Sequence, residues 1–77
     1  MKRKILAEKY MDKYEKELEK LTDKELKNDY IGWFQWEYTI EELEKVGRVE
    51  MIWDMMEDKR RYLKDYENEE LEEYIIN

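Results

Sequence analysis

The sequence lacks the residues on which most enzyme and metal sites depend. Its 77 residues include no cysteine, histidine, proline or serine. Without cysteine there is no disulfide and no thiolate zinc site, and without histidine the commonest general base and metal ligand is missing. The lysines, tyrosines and carboxylates that remain form no recognisable acid–base pair, and no glycine-rich phosphate loop is present. The sequence therefore predicts a non-enzymatic protein with no catalytic residues, no cofactor and no metal.

Long apolar runs are missing as well. The apolar stretch that follows the basic N-terminal residues is only Ile5, Leu6 and Ala7. A membrane span needs about 20 such residues, and a secretory signal needs about 7–15. We therefore expect no membrane association and a cytoplasmic location.

The short length limits the stability that one core can supply. A chain of 77 residues has room for one domain, and a core of that size rarely supplies more than about 3–5 kcal/mol. Disulfides and metals are excluded, so self-association is the remaining supplement. The sequence predicts a single helical domain over residues 1–77 that forms a homodimer.

The sequence predicts the start of two helices from a local pattern. Thr22 is followed three residues later by Glu25, and Thr39 by Glu42. This spacing is the capping box, in which a threonine hydroxyl and a glutamate each satisfy a free backbone N–H at a helix start. Both threonines of the chain are therefore assigned to structural positions.

The predicted fold is all-α: a small three-helix bundle or helical hairpin with a short C-terminal helical turn. Apolar residues at helical spacing place the elements at about 3–20, 23–37, 40–67 and 69–76. The alternative is an α+β fold with residues 33–40 as a strand, because apolar and polar residues alternate there with period two.

The third helix carries the longest apolar pattern. Gly47 interrupts it and indicates a bend, a close helix approach or the C-cap of a short helix 40–46. An uninterrupted helix 40–67 would extend beyond the other two helices, and its exposed end could pack against a second subunit. Its predicted buried seam has heptad-like spacing, with Arg60 at one seam position, and consists of Val46, Val49, Trp53, Met56 and Leu63.

The three tryptophans allow two interpretations. The simplest places Trp33, Trp36 and Trp53 in the core. However, Trp36 lies at the edge of its helix face, and tryptophan is enriched at the centres of protein–protein contacts. Trp36 and Trp33 are therefore the aromatic candidates for partner binding.

The net charge of −7 is concentrated towards the C-terminal end. Residues 1–20 sum to +2, whereas residues 61–77 sum to −4. This distribution argues against direct nucleic-acid binding, which needs a basic patch, and favours a basic protein surface as partner, such as that of a nucleic-acid-binding protein. The candidate acidic face comprises Glu50, Asp54, Glu57, Asp58, Asp65, Glu69, Glu70, Glu72 and Glu73.

Part of the chain resembles a known family. Leu21, Thr22 and Asp23 followed by Leu26 and Tyr30, and later Lys59 to Leu63, resemble the helical hairpin of the Sda family of bacterial sporulation checkpoint proteins. That family inhibits a sensor histidine kinase by binding it. The resemblance covers about half of the chain, and no site residues are carried over from it. In general character, small and acidic without catalytic residues, the chain is also similar to phage-encoded inhibitors of host defence, including anti-CRISPR proteins.

Three functions follow from these observations. The first is a phage- or mobile-element-encoded inhibitor that blocks a nucleic-acid-handling host protein through an acidic helical face, in the manner of an anti-CRISPR protein or a DNA mimic. The second is a regulator that binds a signalling protein, such as a kinase, through its aromatic residues. The third is a self-associating structural or assembly protein.

Overall fold

The computed structural model describes residues 2–77, and over that range the chain is all-α, as predicted. No strand occurs between residues 2 and 77. Five α-helices and one 3-10 turn follow one another: α1 Lys2–Lys20, α2 Asp23–Phe34, α3 Ile40–Glu44, α4 Arg48–Tyr62, the 3-10 turn Leu63–Asp65, and α5 Asn68–Ile76.

Both predicted helix starts are confirmed, and their hydrogen bonds show why the chain turns there. The Thr22 hydroxyl accepts from the Glu25 N–H at 3.1 Å, and the Glu25 carboxylate accepts from the Thr22 N–H at 2.9 Å. The bond from the Thr22 backbone N–H lowers the pKa of the Glu25 carboxyl group, and the Thr22 side chain lowers it further. Thr39 caps α3 by accepting from the Glu42 N–H at 3.2 Å. The Glu42 carboxylate accepts from the Thr39 hydroxyl at 3.0 Å rather than from the Thr39 backbone N–H, so the predicted capping box is complete only at Thr22. Each start is therefore specified by residues three positions apart.

The region after α2 differs from both sequence-based alternatives. The helix predicted to reach residue 37 ends at Phe34, and residues 35–38 form turns rather than the strand proposed for 33–40. The chain reverses in this segment, and residues 35–40 are all exposed. The aromatic side chains of the segment are consequently exposed.

The predicted helix 40–67 is wrong as a single element. It is divided into α3, α4 and the 3-10 turn, whereas α5 corresponds to the predicted C-terminal helical turn 69–76. Gly47 is the N-cap of α4, with φ −78° and ψ 167°, and Tyr66 is extended, with φ −89° and ψ 142°. The first break is stabilised by Lys27, whose ammonium donates to the carbonyls of Leu43 and Glu44 at 3.3 and 2.9 Å. A cation on the free carbonyls of a helix end stabilises that end.

The helices pack in pairs around two adjoining clusters of buried side chains. α1 packs against α4 and α5, and α2 packs against α3 and α4. The first cluster joins α1 to α2, α3 and α4 through Leu18, Leu26, Tyr30, Leu43, Met51 and Met55. The second joins α1 to the 3-10 turn and α5 through Tyr10, Met11, Leu63 and Leu71. The result is an elongated molecule with extents of 41 × 24 × 16 Å.

The predicted seam on the third helix is wrong in its central residues. Val49 and Trp53 are 83% and 63% exposed, whereas Met51 and Met55 are 2% and 6% exposed. Apolar residues surround much of α4, so the helix has more than one stripe that could be buried. Contacts with α1 and α2 select the methionine stripe.

The expectation that all three tryptophans lie in the core is also wrong. Trp33, Trp36 and Trp53 are 45%, 87% and 63% exposed. The core instead uses leucine, methionine and tyrosine.

Between residues 2 and 77 the structure contains no helix that combines the length and the apolar character needed to cross a membrane.

Candidate protein-binding groove

The most distinctive surface feature is a groove between the C-terminal half of α2, the following turn, α3 and α4. Its volume is about 410 Å³. Six carboxylates line it, and we call it the acidic groove: Glu37, Glu42, Glu50, Asp54, Glu57 and Asp58. The remaining lining is mainly apolar and aromatic, with Arg61 as its one cation. A cleft lined by one sign of charge concentrates the electrostatic field and attracts ions of the opposite sign.

Two of the carboxylates are held by aromatic donors on α2. The Tyr30 hydroxyl donates to Asp54 at 2.6 Å, and the Trp33 indole N–H donates to Asp58. Burial raises the pKa of Tyr30, and the bond to Asp54 raises it further. These bonds fix the acidic side of α4 towards α2, so they position the groove.

Three other carboxylates of the acidic groove accept no hydrogen bond from residues 2–77: Glu37, Glu50 and Glu57. The two ion pairs found within those residues lie elsewhere, at Lys2–Glu72 and Arg48–Asp23. Arg61 contributes to the lining but forms neither of these pairs. The groove therefore presents negative charge that the described part of the chain does not neutralise.

The carboxylates are spread along the groove rather than gathered at one point. In the described part of the chain, no three acidic side chains are close enough together to hold a metal ion.

An aromatic rim borders the acidic groove. We define it as Trp33, Trp36, Tyr38 and Tyr62, which are 45%, 87%, 51% and 48% exposed. Trp33, Trp36 and Tyr62 line a shallow depression together with Glu37 and Asp58. The aromatic candidates Trp33 and Trp36 therefore adjoin the acidic groove, which contains the acidic candidates on α4.

The structure divides the predicted acidic face in two. Glu50, Asp54, Glu57 and Asp58 come together in the acidic groove, but the residues from Asp65 onwards do not join them. Glu72 pairs with Lys2 at 3.1 Å, and Glu70 and Glu73 line a separate depression with Lys13. Asp65 and Glu69 are exposed outside the groove.

Sequence reasoning missed Glu37, Glu42 and Tyr38 as members of this surface. Glu42 was assigned only to a helix cap, and Glu37 to a continuous α2. They reach the groove because the chain reverses after Phe34 and brings α3 back against α2, which also packs on α4. No local pattern signals that reversal, since it depends on contacts between elements.

Comparison of the chain with protein-family models, with curated proteins and with solved structures finds no match. The residues that resemble the Sda family have local roles here: Thr22 caps α2, and Leu26 and Tyr30 are buried. Inference of function therefore rests on the geometry of the surface.

Proposed function

We propose that this chain is a non-enzymatic inhibitor that binds the basic surface of a nucleic-acid-handling host protein through the acidic groove. The observation that carries the proposal is that six carboxylates and a single arginine line one groove. Three of those carboxylates have no partner within the described residues, so a basic protein surface supplies the missing counter-charge. Lysines and arginines that contact phosphates form such a surface on nucleic-acid-binding proteins.

Inhibition follows from competition for the same cations. A host lysine or arginine that pairs with a groove carboxylate is not available to a phosphate. Because ion pairs at an exposed surface are screened by salt, the complex should weaken as the ionic strength rises.

Charge reversal tests the groove directly. The groove variant carries Glu37→Lys, Glu50→Lys and Glu57→Lys, which avoid the hydrogen-bonded Asp54 and Asp58. The matched control carries Glu8→Lys, Asp12→Lys and Glu19→Lys on α1, which changes the net charge equally outside the groove. Both variants should retain the helical circular dichroism of the parent.

Affinity capture from nuclease-treated host lysate provides the readout. We expect the parent and the α1 control to retain nucleic-acid-binding proteins, and added duplex DNA or about 1 M salt, where the Debye length is about 3 Å, to release them. The groove variant should retain none of these proteins. Equal capture by the groove variant, or a failure of duplex DNA to compete, would overturn the proposal.

The exposure of the aromatic rim favours a second candidate, a regulator that binds a signalling protein such as a kinase. Trp36 is 87% exposed, and a large exposed indole is a common anchor at protein contacts. In this case Trp36→Ala should abolish capture of the partner, whereas high salt should not.

A further inference from the structure

The acidic groove and the aromatic rim share side chains. Glu37 lines the groove and also the two depressions that contain Trp36. Asp58 lines the groove and the depression of Trp33, Trp36 and Tyr62. A ligand in the groove therefore meets carboxylates and aromatic faces at the same place.

The chain itself places a cation against this aromatic surface. The Lys59 ammonium lies 5.6 Å from the centroid of the Trp33 ring and 5.2 Å from that of Tyr14. Such contacts are attractive because the face of an aromatic ring is negative. Within residues 2–77, no lysine or arginine lies over the ring of Trp36, which is 87% exposed. The Trp36 face is therefore open to a cation from outside the chain.

Arginine fits this surface better than lysine does. Its planar guanidinium can stack on an indole while its N–H groups bind a carboxylate through two parallel hydrogen bonds. Trp36 and Glu37 are adjacent in the chain and supply both components. The ammonium of lysine is a compact point charge without a planar face to stack.

The spacing of the carboxylates on α4 indicates how far apart the cations of a ligand should be. Glu50 and Glu57 are seven residues apart, which corresponds to about 10 Å along a helix. A polyproline II segment with cations three residues apart spans a similar distance, at about 3.1 Å per residue, and its three residues per turn place both cations on one side. A segment with several basic residues can therefore engage both carboxylates while one side chain reaches Trp36.

We infer that the acidic groove and the aromatic rim bind an arginine-bearing segment of the partner protein, with one guanidinium stacked on Trp36 and paired with Glu37. This inference rests on the proposed function and specifies the chemistry of the partner. The negative charge of the acidic groove favours a basic ligand. The exposed indole of Trp36 beside Glu37 favours arginine over lysine.

Nona-arginine and nona-lysine peptides test the inference by calorimetric titration of the full chain at physiological ionic strength. We expect nona-arginine to bind about two- to fivefold more tightly, the range of an exposed cation–π contact. Trp36→Ala should reduce the affinity for nona-arginine to that for nona-lysine. Trp53→Ala is the matched control, because Trp53 is 63% exposed and lies outside both the groove and the rim.

The outcomes separate this inference from the proposed function. If both peptides bind equally, or if Trp53→Ala weakens arginine binding as much as Trp36→Ala, the inference is wrong and the acidic groove remains a binding site for basic proteins. If neither peptide binds, the inference and the proposed function both fail. Circular dichroism of each variant checks that the fold is retained.

Discussion

Met51 and Met55 provide the main buried contact of α4. They lie one helical turn apart and belong to the same buried cluster as Leu26 and Tyr30 of α2. Methionine is unbranched and adaptable, so it fills the irregular space beside an aromatic ring. Val49, two positions before Met51, contributes little to this core because it is 83% exposed.

Truncation of these two residues should therefore have very different effects. We expect Met51→Ala to lower the free energy of unfolding by about 2–5 kcal/mol, since it leaves a cavity in the core. Val49→Ala should change it by about 0.5 kcal/mol or less. Urea denaturation followed by circular dichroism measures both, and equal losses would favour the seam predicted from the sequence.

Tyrosine burial gives the protein a dependence on alkaline pH. Burial raises the pKa of Tyr10 and of Tyr14 from 10.0 to about 12. Tyr10 is stacked on Tyr74 with ring centroids 4.1 Å apart, so its ionisation would place a charge among packed rings. The folded state therefore retains protons that the unfolded state loses.

The sign of the effect follows from this proton difference. The stabilising contribution is fully present below pH 10 and is lost as the pH rises through about 12, because the folded pKa lies above the unfolded value. We expect the free energy of unfolding to fall across that range. It should fall less steeply in the Tyr10→Phe, Tyr14→Phe double variant, with Tyr62→Phe as an exposed control. An identical slope in the double variant would contradict the prediction.

At the scale of elements, α3 is too short to be stable on its own. It has five residues, and isolated helices of fewer than about 12–15 residues are marginal in water. Thr39 caps its start, and the Lys27 ammonium binds the carbonyls at its end. α3 is therefore stabilised by a side chain from α2. Because α3 forms one wall of the acidic groove, that wall depends on Lys27 as well.

Removal of the Lys27 ammonium should destabilise α3 without destabilising the other helices. Lys27→Met keeps most of the aliphatic chain but removes the donor, and we expect faster amide hydrogen exchange at residues 43–46. Lys24→Met is the control, because Lys24 lies on the same helix and is exposed. Unchanged protection of residues 43–46 in Lys27→Met would show that other contacts hold the segment.

For the whole molecule, the two clusters of buried side chains define two parts that are joined by α1 and α4, because Tyr14 and Met56 pack against both clusters. Leu26 lies in the first cluster and Leu71 in the second, and both are 0% exposed. The homodimer predicted from the chain length stays a prediction. The exposed aromatic side chains leave apolar surface available for such an association.

Matched truncations of the two leucines should show how independent the parts are. Leu71→Ala and Leu26→Ala should each cost about 2–5 kcal/mol. We expect Leu71→Ala to accelerate hydrogen exchange mainly in α5, and Leu26→Ala mainly in α2 and α3. The same exchange pattern in both variants would indicate one cooperative unit instead.

The parts of the fold that could be predicted are those specified by short-range bonds. The helix starts at Thr22 and Thr39 were predicted correctly, because each cap joins residues three positions apart. The end of α2 and the buried face of α4 were not, and the break at Gly47 was only one of three alternatives. They depend on contacts from other elements, such as that between Lys27 and the end of α3. The four carboxylates of the acidic groove on α4 were identified because they lie on one helix. Glu37 and Glu42 were missed because contacts between elements bring them to the groove.

The sequence by itself determined the helical class, the helix starts and the excess of negative charge, because these depend on composition and on neighbours within one helical turn. Only the tertiary structure decided that methionines rather than Val49 and Trp53 are buried, and that Glu37 and Glu42 join the carboxylates of α4. The physical reason is that α4 is apolar on more than one side. The helices that pack against α4 therefore determine which side is buried. If Val49 and Trp53 were buried instead of the methionines, a different surface would be exposed to a partner.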